Sequence, residues 1–156
     1  MMLKVKPYEQ TAGWSSCGPA SLKMILDLYG VKESEKKLVK ICRTTKSKGT
    51  GLEGFKRAAK YFGFKILVKD FSDFSDINFY LKKNIPVIID WFSVDGGHYS
   101  VAVGLAQKNI YLADPEFGKI KKMEKKMFKR VWFDFRGGYL RRKKDLIVRR
   151  IIVIYK

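Results

Sequence analysis

The chain holds one histidine, His98, and two cysteines, Cys17 and Cys42. Cys17 stands in "GWSSCGPASLKMIL", one residue ahead of Gly18-Pro19 and at the head of an apolar helical pattern. A helix N-terminus carries unpaired N–H groups and a partial positive charge, and both stabilise a thiolate. Pro19 suits the first helical turn, where its missing N–H costs nothing, and Gly18 lets the backbone approach a ligand closely. Ser15 or Ser16 would serve better as a cap, and a small hydrophobe would serve better as a buried helix start. A thiol at this position therefore fits an activated nucleophile. The competing reading is a small buried cysteine that begins a helix.

His98 lies in "VDGGHYSVAVG", behind Gly96-Gly97 and at the head of an apolar run. With an ordinary pKa of about 6.5, an imidazole is a fitting general base for a thiol. A lone histidine is often a structural residue, but one that opens a strand behind two glycines is less typical of a core. The turn "AQKN" joins the runs 98–105 and 110–114, so antiparallel folding brings Asp114 back to the start of the first run. A carboxylate there orients the imidazole and fixes its tautomer. Asp90 and Asp95 are the alternative carboxylates, and an Asp-Pro turn is the non-catalytic reading of Asp114. Gln10 precedes Cys17 by seven residues. Its amide, with the backbone N–H of Cys17, makes a candidate oxyanion hole. Cys17, His98 and Asp114 fit neither a CxxC nor an HxxxH spacing, so no metal or other cofactor is expected.

The elements that position these residues divide into two kinds. Leu22, Ile25, Leu26 and Tyr29 repeat at helical spacing from Cys17 to Gly30. Leu38, Ile41 and Cys42 suggest a shorter helix after Ser34. "TGLEGFKRAAKYFGF" opens on Thr50-x-x-Glu53, a capping-box pattern, and Gly63 occupies the place of a C-terminal glycine. A strand carrying Phe64, Ile66 and Val68 and a short helix over 75–83 follow. The period then changes. "PVIIDWF", "HYSVAVGL" and "IYLADP" read as strands of a buried sheet. "KKMEKKMFKRVW" reads as a short helix leading into a strand over 131–135, and "LIVRRIIVIY" as a final strand. Helices first and an antiparallel sheet second predict an α+β fold, with the N-terminal helices packed on a C-terminal antiparallel sheet.

A length of 156 residues at 46% hydrophobic content suits a single domain over 1–156 with a real core. No apolar run approaches the roughly 18 residues of a membrane span, and the N-terminus lacks a signal-peptide core. A soluble, cytoplasmic protein is expected. Two cysteines without a secretion signal are expected as thiols. The net charge is +18, and 119–156 alone carries fifteen Lys/Arg against three acids. Such a region attracts nucleic acid, an anionic membrane surface or acidic peptides. The plainer reading is solvated lysine-rich surface. Arg141–Lys144 has no interleaved aromatic to stack on bases, and nucleic acid is therefore the lesser partner reading.

Gln10, "SCGPASLKMIL", "GGHYSVAVG", "YLADPEFGK" and "MFKRVW", in that order, resemble the C39 family of papain-like cysteine peptidases over most of the chain. The resemblance implies a papain-like fold with Cys17 as nucleophile, His98 as base, Asp114 as orienter and Gln10 as oxyanion donor. It also implies a peptide substrate, with cleavage after Gly residues, as in the exporter-fused members that remove double-glycine leaders. The chain departs from those members in having Ser16 where they carry an acid, and in a Gln-to-Cys spacing one residue longer. It looks more like the free-standing branch without a transporter. Two function classes stay open at this point. One is a thiol peptidase or related acyl-transfer enzyme, and the other is a non-catalytic peptide- or anion-binding module on the same fold.

Overall fold

The computed structural model describes residues 2–13, 15–94 and 96–156. Three helices come first: α1 (Cys17–Leu28), α2 (Glu35–Cys42) and α3 (Leu52–Phe62). Leu22, Ile25 and Leu26 are buried along α1, as the helical spacing requires. Ser34 caps α2 by accepting from Lys37 N. Gly63 ends α3 at φ +74°, a left-handed conformation that favours glycine. The Thr50–Glu53 capping box does not form. Gly51 is the N-cap of α3, without a side-chain cap bond. The Thr50 hydroxyl instead pairs with that of Thr44 at 2.7 Å, and the Thr50 carbonyl accepts from Tyr99 at 2.8 Å. Tertiary partners outbid the local cap.

The strands are β1 (Lys65–Lys69), β2 (Val87–Ser93), β3 (Gly96–Leu105), β4 (Asn109–Asp114), β5 (Lys119–Glu124) and, after a short β6–β7 pair, β8 (Arg150–Tyr155). They form a six-stranded sheet in the order β1-β8-β2-β3-β4-β5, with every pair antiparallel. Residues alternate between its faces. On one face Ile88, Val101, Val103, Ala113 and Ile152 pack with α1–α3. On the other, Val87, Ile89, Ala102, Leu112 and Val153 pack with Ile77 and Leu81 of α4 (Phe74–Leu81) and Phe128 of α5 (Lys125–Val131). The sheet is therefore covered on both sides, with the N-terminal helices forming one layer of three.

Three expected elements change. The segment 121–124, read as the start of a helix, lies in β5, whose lysine-rich sequence hides a ladder with β4 from Asn109–Glu124 to Asp114–Lys119. Charged residues on an edge strand also discourage pairing with other chains. The strand over 131–135 shrinks to β6, Phe133–Asp134, paired with β7, Ile147–Val148. The final strand breaks at Arg149, whose φ is +46° and whose N–H donates to Trp132 O at 3.0 Å. Among the described residues no helix is long and apolar enough to cross a membrane.

Candidate active site

Cys17 is the first residue of α1 and is 8% exposed. Its N–H belongs to the helix-terminal set without an intrahelical acceptor. Gly18 does not face a ligand, as the sequence suggested. A Cβ there would lie 2.6 Å from Thr50 Oγ1, so the glycine lets α1 close against the loop before α3.

The loop that leads into Cys17 is held by Glu35, a buried acid in the first turn of α2. Its carboxylate accepts from Tyr8 Oη at 3.0 Å, Thr11 N at 2.9 Å, Thr11 Oγ1 at 2.9 Å, Ala12 N at 2.9 Å and Ser16 Oγ at 2.8 Å. Burial pushes the carboxyl up, but these hydrogen bonds outweigh it and hold Glu35 below the usual range. The carboxylate beside residue 16 thus comes from α2, where Ser16 itself carries none.

Gln10 lies on this tethered loop and lines the cleft at Cys17. Its N–H donates to Pro115 O at 2.8 Å, which ties it to the turn after Asp114. One side-chain Nε2 hydrogen goes to Gly13 O at 3.0 Å. The second remains for another acceptor.

His98 and Asp114 meet as the strand order requires. In the β3–β4 ladder Val101 opposes Ala113, which brings the start of β3 beside the end of β4. His98 Nε2 lies 2.6 Å from Asp114 Oδ1, and both residues are buried. Trp91 packs edge-on against the imidazole at 5.6 Å between centroids. The other ring nitrogen is left free by this contact, and Cys17 lies near enough to act on the titration of the ring. Burial alone would push the His98 pKa down. The hydrogen bond to Asp114, with the influence of Cys17 beside the ring, more than offsets that and raises it to about 9. Asp114 moves the other way: burial pushes it up, but His98, the Glu116 N–H and the charge of Lys121 bring it below its ordinary value. Cys42 is 1% exposed, and burial pushes its thiol up to about 12.

The four predicted residues line, or in the case of Asp114 support, a cleft of about 920 Å³. Asp90 also reaches this cleft, but it faces Asp134 of β6 and does not face His98. Asp95 lies outside the described residues. Sequence reasoning missed Glu35 and Asp134. The only local signal was Glu35 directly after a capping serine, and nothing local marks Asp134. Donor atoms of His98, Asp114 and Glu116 lie within 4.8 Å of one another, a spacing able to hold a cation. Two of those atoms already bind each other, so a metal would have to break the His98–Asp114 bond.

Residues 5–135 match the Peptidase C39 family. The chain is 29% identical over 136 residues to a lactococcin transport/processing ATP-binding protein, LcnC-like, of Lactococcus lactis subsp. lactis (strain IL1403). That match covers 85% of this chain and 18% of the relative, so the chain spans about a fifth of the relative's length. The fold superposes on the peptidase domain of Streptococcus ComA, a bi-functional ABC transporter involved in quorum sensing, with a TM-score of 0.77 and 25% identity, covering 97% of this chain and 98% of that one. It also superposes on a double-glycine-motif protease from an AMS/PCAT transporter, solved with its leader peptide. There the TM-score is 0.71 and the identity 20%, over 99% of this chain and 93% of that one. The second likeness bears on the fold alone. With the family match covering most of its length and a peptidase domain as a structural neighbour, the chain belongs to the Peptidase C39 family.

Proposed function

We propose that this chain is a thiol-dependent peptidase acting through Cys17, His98 and Asp114, with Gln10 at the oxyanion. The observation that carries the reading is the 2.6 Å contact between His98 Nε2 and Asp114 Oδ1, which leaves the other ring nitrogen available to the Cys17 thiol on the same cleft. With its pKa raised to about 9, His98 carries its proton near neutral pH, as the donor to a leaving amine must.

The Cys17 thiolate attacks the scissile carbonyl. The oxyanion takes hydrogen bonds from the Cys17 N–H and the second N–H of Gln10 Nε2. As the C–N bond breaks, the His98 imidazolium gives its proton to the leaving amine, and a thioester remains on Cys17. Water then attacks the thioester, His98 takes its proton, and the carboxylic acid and thiolate are released. Asp114 holds the ring through both steps. Family membership favours glycine on the acyl side of the bond, as in the double-glycine-motif protease solved with its leader.

The test is incubation with peptides bearing an internal Gly-Gly and mass analysis of the products, alongside Cys17→Ala. Cleavage that vanishes in the variant is expected. An intact peptide pool, together with no reaction of Cys17 toward a Gly-Gly-aldehyde, would overturn the reading in favour of a peptide-binding module.

A further inference from the structure

Beside the catalytic set, two carboxyl groups that the reaction does not use face the same cleft. Asp90 is on β2, the sheet strand adjacent to β3, and is 1% exposed. Asp134 is on β6, half-buried, with its Oδ1 accepting from Phe135 N at 2.7 Å. Both line the cleft, and the two carboxyls are close enough to act on each other's titration. No donor among the described residues reaches Asp90 Oδ1, although that atom is fully buried. The cation opposite Asp90 in the β2–β8 register, Arg150, is already taken by Asp70 through bonds of 2.7 and 3.0 Å. Arg136 is turned onto Gly51. Asp134 also lies directly over Gly97, where a Cβ would meet its two carboxylate oxygens. The glycine before the catalytic histidine therefore makes room for this carboxylate.

We propose that the Asp90–Asp134 pair is a recognition subsite for a cationic side chain, Lys or Arg, of a peptide residue flanking the scissile bond. Buried carboxyls without a cation or a full set of donors are costly unless a ligand supplies the missing charge. Among the described residues no third metal-ligating group joins the pair, so a peptide ammonium or guanidinium fits better than a metal ion. In the unliganded chain Asp90 holds its proton more tightly than an ordinary carboxyl. Burial and the charge of Asp134 push it well above the carboxylate range, the charge of Cys17 adds to this, and Arg150 opposes it. Tyr99 is the remaining titratable group facing the pair, and its own proton is held above the ordinary phenol range by the same burial and charges. A bound cation competes with protonation of the pair, so binding tightens as pH rises. The subsite deepens the peptidase reading and rests on it for the identity of the ligand.

The test uses N-acetylated Gly-Gly peptides in which Lys, norleucine or Glu is walked through the positions on both sides of the bond. Binding is measured to the full chain carrying Cys17→Ala, and cleavage by the wild type is followed in parallel. At one position Lys should bind at least tenfold tighter than norleucine, with Glu weakest, and Asp134→Asn should erase that gap. Gly97→Ala should erase it too, by displacing the carboxylate while leaving its charge in the chain. Equal binding of Lys and norleucine everywhere, no binding at all, or a gap that survives both variants overturns the subsite. A preference that appears only with a free N-terminal amine overturns it as a side-chain site. Cleavage without cation preference sinks this inference alone, and cation-selective binding without cleavage sinks the peptidase reading alone.

Discussion

His98 Nε2 stands 2.6 Å from Asp114 Oδ1, and this one contact decides which ring nitrogen is free to face Cys17. His98→Ala should therefore lower kcat by about 10³–10⁴-fold while thermal unfolding stays cooperative. The chain has no second histidine to substitute. Asp114→Asn keeps an oxygen for the ring and should be milder than Asp114→Ala. The reverse order would mean that Asp114 serves the turn before Glu116 more than it serves the imidazole.

Because His98 is the only histidine, its ring protons can be followed by NMR without assignment. The midpoint should fall near 9, and it should drop in Cys17→Ala, which removes one of the groups that lift it. A wild-type midpoint at the ordinary value of about 6.5 would mean that Asp114 and Cys17 do not hold the His98 proton. The linkage follows in sign. His98 binds its proton more tightly folded than unfolded, so its contribution to stability is full below about pH 6.5 and fades as pH rises through 9. Asp114 and Glu35, both lowered, contribute above the ordinary carboxylate range and lose that contribution as pH falls.

The two thiols should differ sharply. Cys17 lines the same cleft as His98, whereas Cys42 is 1% exposed with its pKa pushed up to about 12. Brief iodoacetamide treatment at about pH 6.5, where an unperturbed thiol is almost wholly protonated, should modify Cys17 alone. Peptide mapping that finds both modified equally would argue against an activated nucleophile.

What could be read from the sequence was set by distance along the chain. Cys17 at a helix start follows from local period, and His98 and Asp114 meet because only a short turn separates their strands. Gln10 was a candidate from its place seven residues before Cys17, and the family resemblance strengthened it, since a loop glutamine alone carries no mark of an oxyanion donor. Glu35 escaped because its partners lie 19–27 residues away and include backbone N–H groups, which have no signature. β5 escaped because four of its six residues are charged, and its ladder with β4 overrides that composition. Arg149 breaks the last apolar run at a positive φ, stabilised by its N–H to Trp132 and its Nε to Ser72 O at 2.7 Å. No window of sequence contains that arrangement.

Glu35→Gln should separate positioning from stability. The variant sets an amide N–H beside the Thr11 and Ala12 N–H groups, which can only donate, and three hydroxyls that now donate to the carboxylate, at a cost of about 1–3 kcal/mol. If the loop only packs, Tm falls and kcat per folded molecule is unchanged. The tether between Glu35 and the 11–16 segment predicts more: kcat should drop at least about tenfold with KM little moved, because both oxyanion donors flank that segment.

The basic C-terminal region should prove to be solvated surface. Part of its charge is already engaged: Arg142 with Asp145 at 2.9 and 3.1 Å, Arg149 with Ser72 O, and Arg150 with Asp70. Arg141 lies over the Tyr139 ring at 5.3 Å. Reversing the charges at Arg141, Arg142, Lys143 and Lys144 should change binding to random RNA or DNA no more than reversing scattered lysines such as Lys36, Lys56 and Lys60. The comparison belongs at about 150 mM salt, where the screening length is near 8 Å and diffuse attraction is largely suppressed. Micromolar binding under those conditions that disappears only with the Arg141–Lys144 reversal would make this face a specific anion site. It would then favour the binding-module reading, because a field that survives such screening needs phosphates held at fixed positions on the protein.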